Sequence, residues 1–303
     1  MNEKHDESLT IACISIVGGT ALFNCISSVL QSGLGCMVIA EERDIIDEVT
    51  RLISDKHLEL VVTHGDSVPG KRAIAVRKAA SAWIAMIEDT CTVNEEWRRG
   101  CASLIACRDA SAGSGPVIPG QSLGVRARAL YCSDYGTFFP SALQRADGGK
   151  KGKMHRTSVL PGVNLLYRRE TVMQYINADG LIESEVNRRM IEDGHTLYIH
   201  EDLAVTLDHA DETGATLHSR FNHGRLYGGL QSRNMRPAIR MVRALTCVLL
   251  PFVLSYRSLR AYARVRNRNL VTFLYIILFE TVWSCGECTG YLSGCGHSLE
   301  DWK

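Results

Sequence analysis

The sequence predicts an α/β fold built on a mainly parallel, doubly wound sheet. Three observations predict it. Apolar runs alternate with amphipathic runs through the N-terminal half. Each apolar run is short and near-continuous, as in strands buried on both faces. The runs end abruptly in Gly or in acids, and in such sheets the carboxyl ends of the strands open onto the ligand crevice.

The elements follow in order. Residues 11–17 read as a strand that stops at Gly18-Gly19-Thr20. A helix over 21–31 leads to a second strand over 36–40, which ends at Glu41 and Glu42. An amphipathic helix over 44–54 precedes a third strand over 58–63. A basic, Ala-rich helix from Lys71 leads into the apolar run AWIAMI, which ends in Glu88, Asp89 and Thr90. Two carboxylates at the tip of a buried strand are costly unless they meet a cation, a sugar hydroxyl or solvent. Capping of the following helix is the plainer use for them.

Farther on, the patch over 109–120 reads as a Gly-rich loop with a short strand inside it. Residues 146–156 form a second loop, rich in Gly and Lys. The segment SVLPGVNLLYRRE predicts a strand running into a helix at Arg169. A helix over 183–192 stops at Gly194, and HTLYIH and AVTLDH are two short strands.

Length and composition allow one large domain or a core domain with an appendage, and 46% hydrophobic residues can build a sizeable core. The net charge of +1 is uninformative, but its distribution is not. The first fifty residues are acidic, whereas residues 213–279 hold eleven arginines and no Asp or Glu. Such asymmetry points to an anionic partner, either membrane or nucleic acid. Within that stretch, apolar runs over 244–254 and 270–279 bracket the segment SYRSLRAYARVRNRN. Each is short for a bilayer span, which needs about 20 residues. They suit a hairpin lying in the interface, or else a pair of buried core helices. The chain therefore divides into a domain over 1–236 and an Arg-rich, membrane-associating tail over 237–303. Eleven scattered cysteines and the absence of a secretory leader predict reduced, buried thiols in a cytosolic setting. Cys285 and Cys288 have zinc-ligand spacing, with Cys295 and His297 following.

Several pieces in order carry a resemblance. They are VPGKRAIAVRKAASAWIAMIEDTC, LPGVNLLYRRE, ESEVNRRMIEDGHTLYIHEDLAVTLDH, SRFNHGRLYGG and the closing GECTGYLSGCG. Together they resemble the family-2, GT-A type inverting glycosyltransferases over most of the chain, membrane-associated members included. The resemblance implies a GT-A fold, a mixed but mainly parallel sheet flanked by helices, here with a C-terminal apolar helical hairpin. It implies transfer of a sugar from a nucleotide-diphospho-sugar donor to a glycan or lipid-linked acceptor at the cytoplasmic face of a membrane. A cytoplasmic location is the alternative.

The resemblance also implies roles. Glu88 matches the acid that binds donor hydroxyls, and Asp89 the acid that ligates Mg²⁺ or Mn²⁺; Thr90 stands where many members have a third acid. Glu41, with Glu42, would read the nucleobase or ribose, or else forms a solvated turn. Gly18, Gly19 and Thr20 would let the nucleotide approach the backbone closely. Arg72 and Arg77 would touch the diphosphate, or else stand as solvated helix cations, and Asn164 lies in the stretch beside the acceptor. Arg220, His223 and Arg225 would clamp the leaving diphosphate, or bind lipid phosphate. The family's base falls at Glu183, with Ser184 where its Asp commonly stands and Glu185 as second choice. Both glutamates also suit the first turn of a helix. Two rivals remain: a catalytically degenerate sugar-nucleotide binder of the same fold, and a basic nucleic-acid-binding protein. The latter lacks interleaved aromatics and any nucleic-acid module, so no nucleic-acid partner is expected.

Overall fold

A computed structural model describes residues 9–139, 154–208, 215–265 and 268–302. The acidic N-terminus, most of the loop expected over 146–156, His209 and Arg266 lie outside them. The chain forms two compact units, Met1–Gly120 with Leu143–His209, and Gln121–Ala142 with Ala210–Lys303.

The first unit is the α/β unit. It opens with β1 (Leu9–Ile14), α1 (Gly19–Gln31), β2 (Met37–Glu41), α2 (Asp47–Asp55), β3 (Glu59–Thr63), α3 (Val68–Lys78) and β4 (Trp83–Glu88). Next come β5 (Cys91–Thr92), α4 (Glu95–Ala106), β6 (Ala110–Ser114) and β7 (Val117–Pro119). Helix α5 (Val125–Asp134) belongs to the second unit. The first unit resumes with β8 (Met154–Thr157), β9 (Asn164–Arg168), α6 (Arg169–Met173), α7 (Glu183–Glu192), β10 (Thr196–His200) and β11 (Val205–Leu207).

Eight strands form one sheet in the order β3-β2-β1-β4-β9-β6-β10-β8, and β5-β11-β7 form a small second sheet. In the large sheet, β1 to β4 are mutually parallel and β10 is parallel to β6. Strand β9 runs against both β4 and β6, and β8 runs against β10. The mainly parallel sheet of the sequence reading is thus present. Every residue of β2 and β4 is buried, which is why these segments read as unbroken apolar runs. Strand β3 is the sheet edge, and Leu60 and Val62 are correspondingly exposed.

Two local differences bear on the site. The first strand ends at Ile14, three residues early, because the amides of Val17 and Gly18 turn away to meet a carboxylate. The helix expected from Asp44 begins at Asp47, since Glu42–Asp44 form a separate 3₁₀ turn held by the Glu41 side chain and Asp44. The Gly-rich loop over 109–120 carries two strands, β6 and β7, where one was expected.

The second unit is helical: α5, α8 (Ala215–Ser232), α9 (Pro237–Thr246), α10 (Leu250–Tyr262) and α11 (Leu270–Ser293). The first apolar run does not form one helix; α9 and α10 meet at a 55° bend. Pro251, at the start of α10, lacks the amide that would continue the ladder. The second run is extended into the 24-residue α11. Glycines face each other between α8 and α11. A Cβ at Gly228 would lie 2.3 Å from the Glu287 carbonyl oxygen, and one at Gly290 would lie 2.3 Å from that of Arg225. Such helices approach backbone to backbone, as small-residue spacing permits.

Cys247 is buried, Cys288 is partly buried and points to the Ala244 carbonyl, and Cys285 is exposed. Cys295 points to the Leu226 carbonyl, and His297 pairs with Glu300. Among the described residues, Cys285, Cys288, Cys295 and His297 do not come together in a group of three candidate metal ligands.

Candidate functional site

The winding of the sheet decides where a site can lie. The chain lays down β1, β2 and β3 outward in one direction, then returns to place β4 on the other side of β1. The carboxyl ends of β1 and β4 flank this switch point, which is where open α/β sheets bind ligands. The residues found there are Ser15 to Gly18 after β1, Glu41 at the end of β2, and Glu88 and Asp89 at the end of β4.

Asp89 is 1% exposed and held by its own chain. Its Oδ2 accepts the Gly18 amide at 2.7 Å and the Val17 amide at 3.1 Å. The Ser15 hydroxyl lies between Asp89 Oδ2, at 3.2 Å, and Asp44 Oδ2, at 2.9 Å, with one proton for the two. Gly18 has φ +74°, and a Cβ there would lie 2.8 Å from the Asp44 backbone. The turn therefore needs glycine both for its backbone and for its space. Burial pushes the Asp89 carboxyl above the usual carboxylate range, while the Gly18 and Val17 amides pull the other way.

Two consecutive cations of α3 enter this acidic cluster. Ser67 caps the helix, accepting the Gly70 amide at 3.3 Å, and Pro69 sits in the first turn, where its missing amide costs nothing. Lys71 is buried, donates to the Ser15 carbonyl at 2.8 Å, and stands 3.8 Å from both Glu41 and Asp44. Arg72 is also buried. Its guanidinium reaches Glu88 Oε1 at 2.5 Å, Glu183 Oε2 at 2.6 Å and the Gly162 carbonyl at 3.3 Å. Burial opposes the charge on Arg72, but Glu183 and Glu88 outweigh it and strengthen its hold on the proton. Burial raises Glu88, with Arg72 acting against that rise.

Gly180 brings α7 to α3. Its φ is +89°, a Cβ there would lie 2.5 Å from the Pro69 carbonyl, and the neighbouring Leu181 amide donates to Pro69 at 2.9 Å. Glu183, the first residue of α7, is thereby delivered to the guanidinium that also holds Glu88. The structure thus joins Glu88, Asp89, Glu41, Arg72, Glu183 and the Gly18 turn in one corner of the first unit. Gly19 and the exposed Thr20 open α1 beside that turn.

Other residues singled out in the sequence lie elsewhere. Glu185 is half-buried, and its Oε2 accepts no hydrogen bond among the described residues. Asn164 is buried; its amide accepts from Trp97 at 3.2 Å and donates to the Leu203 carbonyl at 2.7 Å, which ties β9 to its surroundings. Arg220 and Arg225 belong to the second unit. Arg220 is buried, pairs with Asp134 and Glu280, and lies over the Trp283 ring at 4.8 Å. Arg225 donates to the Gly294 carbonyl at 3.2 Å.

Sequence reasoning missed Ser15, Asp44, Lys71 and Asp208. Lys71 was visible only as the first residue of a basic helix, and Asp44 only as a helix start. Asp208 accepts the Thr92 hydroxyl at 2.6 Å and donates its amide to the Thr90 carbonyl, so it stands beside the strand end that lacks a third acid.

The described residues do not fit the divalent ion expected on Asp89. Its Oδ2 already faces two backbone amides and the Ser15 hydroxyl, Thr90 brings a neutral hydroxyl in place of a further negative charge, and Glu88 is committed to Arg72. No group of three candidate ligands occurs among those residues.

No protein-family model matches the chain. No curated protein matches it either. Solved structures do. The chain is similar to GalNAc-T7, solved with UDP, GalNAc and Mn²⁺, at a TM-score of 0.50 and 12% identity. The match covers 68% of this chain and 44% of GalNAc-T7, so the chain spans less than half of that protein. A mycobacterial protein matches over 70% of both chains at 11% identity and a TM-score of 0.43, a likeness too slight to define a fold. The class of fold is that of the GT-A glycosyltransferases: a mixed, mainly parallel sheet with flanking helices and a C-terminal apolar helix.

Proposed function

We propose that the first unit binds a nucleotide-diphospho-sugar at the carboxyl ends of β1, β2 and β4 and transfers its sugar, with inversion, to a glycan or lipid-linked acceptor. This would make it a hexosyltransferase-like member of family 2, acting in polysaccharide assembly. The observation that carries the proposal is the cluster of Glu41, Asp44, Glu88, Asp89 and Glu183 around Lys71 and Arg72 at the switch point of a GT-A sheet. So many ionisable groups converging at the carboxyl ends of buried strands are expensive in a purely structural corner.

The chemistry assigns roles. The acceptor hydroxyl attacks the anomeric carbon from the face opposite the diphosphate. A new carbon–oxygen bond forms as the old one breaks, and the diphosphate leaves with the electron pair. Glu183 takes the hydroxyl proton as general base. Arg72 fixes that carboxylate against Glu88, which reads the donor hydroxyls. The Gly18–Gly19 turn lets the nucleotide lie against the backbone, and Glu41 faces its base or ribose. No step is assigned to Mg²⁺ or Mn²⁺.

A specific observation favours the degenerate binder as second reading. Thr90 and Ser184 replace acids, and the Glu183 carboxylate is already paired with a buried guanidinium. Purified chain incubated with a panel of nucleotide-sugars and acceptors separates the two. The proposal expects release of nucleoside diphosphate with an inverted anomeric product, with or without added Mn²⁺. Saturable binding without release across the panel would leave the binder.

A further inference from the structure

Surface apolar residues scattered singly need no explanation, but a contiguous field of them does. In the second unit the exposed apolar side chains gather on α9, α10 and the first turns of α11. Around the bend, Leu245, Val248, Leu249, Phe252, Val253 and Tyr256 are 60% to 75% exposed. Leu270, Val271 and Leu274, 52% to 71% exposed, open α11. The charge beside them has one sign. On α10 the exposed positions 252, 253, 256, 257 and 260 recur at helical spacing, so Phe252, Val253 and Tyr256 share a face with Arg257 and Arg260. Arg260 lies 5.7 Å from the centre of the Tyr256 ring. Arg243 is exposed on α9 and Arg268 just before α11, and residues 213–279 contain no acid.

We infer that this face is the docking surface for an anionic lipid bilayer, with the α9–α10 elbow lying in one leaflet's interface. Apolar side chains enter the acyl boundary while arginines stay with the headgroups. An apolar protein partner would not call for a row of exposed arginines along the same face.

The unit rests on the membrane and does not cross it. Among the described residues, helix α11 is long and apolar enough to span, as are α9 and α10 if taken together as one bent span. Yet the inner face of α11 carries Glu280, bonded to Ser258 at 2.5 Å and paired with Arg220, and Glu287, bonded to the Trp283 indole at 3.1 Å. Its glycines clasp α8, whose His218, Ser219, Asn222, His223 and Gln231 make it a poor neighbour in hydrocarbon. The 55° bend at Pro251 likewise suits a helix pair following a surface.

The test is co-sedimentation of the full chain with phosphatidylcholine vesicles, with and without phosphatidylglycerol. Pelleting on the anionic vesicles should exceed that on neutral ones roughly tenfold, and alkaline carbonate should release the protein. The pairs Phe252→Ser with Tyr256→Ser, and Arg257→Glu with Arg260→Glu, should each lower binding about tenfold. Both replace exposed side chains, so the melting temperature should not move. Equal pelleting on both vesicles, or variants that bind as the parent does, would overturn the inference. So would resistance to carbonate, which marks a span. Sedimentation equilibrium showing this face sealed in a dimer, or an oligonucleotide shift lost on Arg→Glu exchange while vesicle binding persists, would assign it another occupant. None of these outcomes depends on whether the first unit transfers sugar.

Discussion

Replacing Arg72 by methionine is expected to cost about 3–5 kcal/mol of stability, the range for removing one partner of a buried ion pair. The guanidinium is buried and holds two carboxylates, Glu88 at 2.5 Å and Glu183 at 2.6 Å, together with the Gly162 carbonyl. Methionine fills most of the volume, so the loss measures charge and hydrogen bonds more than cavity. It leaves Glu88, a buried acid, with no neutralising cation, and it unties the start of α7 from α3. Arg72→Lys should recover only part, because one ammonium cannot bridge two carboxylates with the planar fork of arginine. Adding Glu88→Gln and Glu183→Gln to Arg72→Met should recover more, since no stranded charge remains. Urea unfolding of the four proteins reads this directly. A loss under about 1 kcal/mol for Arg72→Met, the scale of an exposed pair, would contradict the buried bridge.

Glu183→Gln should lower turnover by roughly 10²–10⁴, the usual contribution of a positioned general base, with little change in donor affinity. Glutamine keeps the shape and can still meet the guanidinium of Arg72, so folding is preserved and the missing proton acceptor is isolated. Glu185 stands two residues on and does not share that guanidinium. If Glu185→Gln carries the loss and Glu183→Gln does not, the base is misassigned and Arg72 positions only the donor strand. The comparison is made at saturating acceptor, so that kcat and KM separate.

Much of the fold was legible because burial writes itself into strand composition. Strands β2, β4 and β1 from Ile11 onward are buried and read as apolar runs, and the helix after β2 showed an amphipathic pattern. The acids at their tips were legible because charge after such a run has no packing explanation. What those acids touch was not. Asp89 closes the loop after β1 through backbone amides, and amides have no sequence signature. Arg72 read as a diphosphate contact or a solvated helix cation, and Lys71 only as the start of a basic helix, yet α3 turns both inward onto acids of other elements, a placement set by tertiary winding alone. The bend at Pro251 between α9 and α10 was not read from the apolar run over 244–254, and the pairing of Gly228 and Gly290 with backbone across the α8–α11 contact likewise required coordinates.

The most direct test of the central claim is amide hydrogen exchange of the intact chain at saturating nucleoside diphosphate, compared with the free protein. The account predicts slower exchange over residues 15–20, 41–44 and 88–90, the three strand ends that converge on Lys71 and Arg72. Protection confined to other segments, or none at saturation, would contradict it.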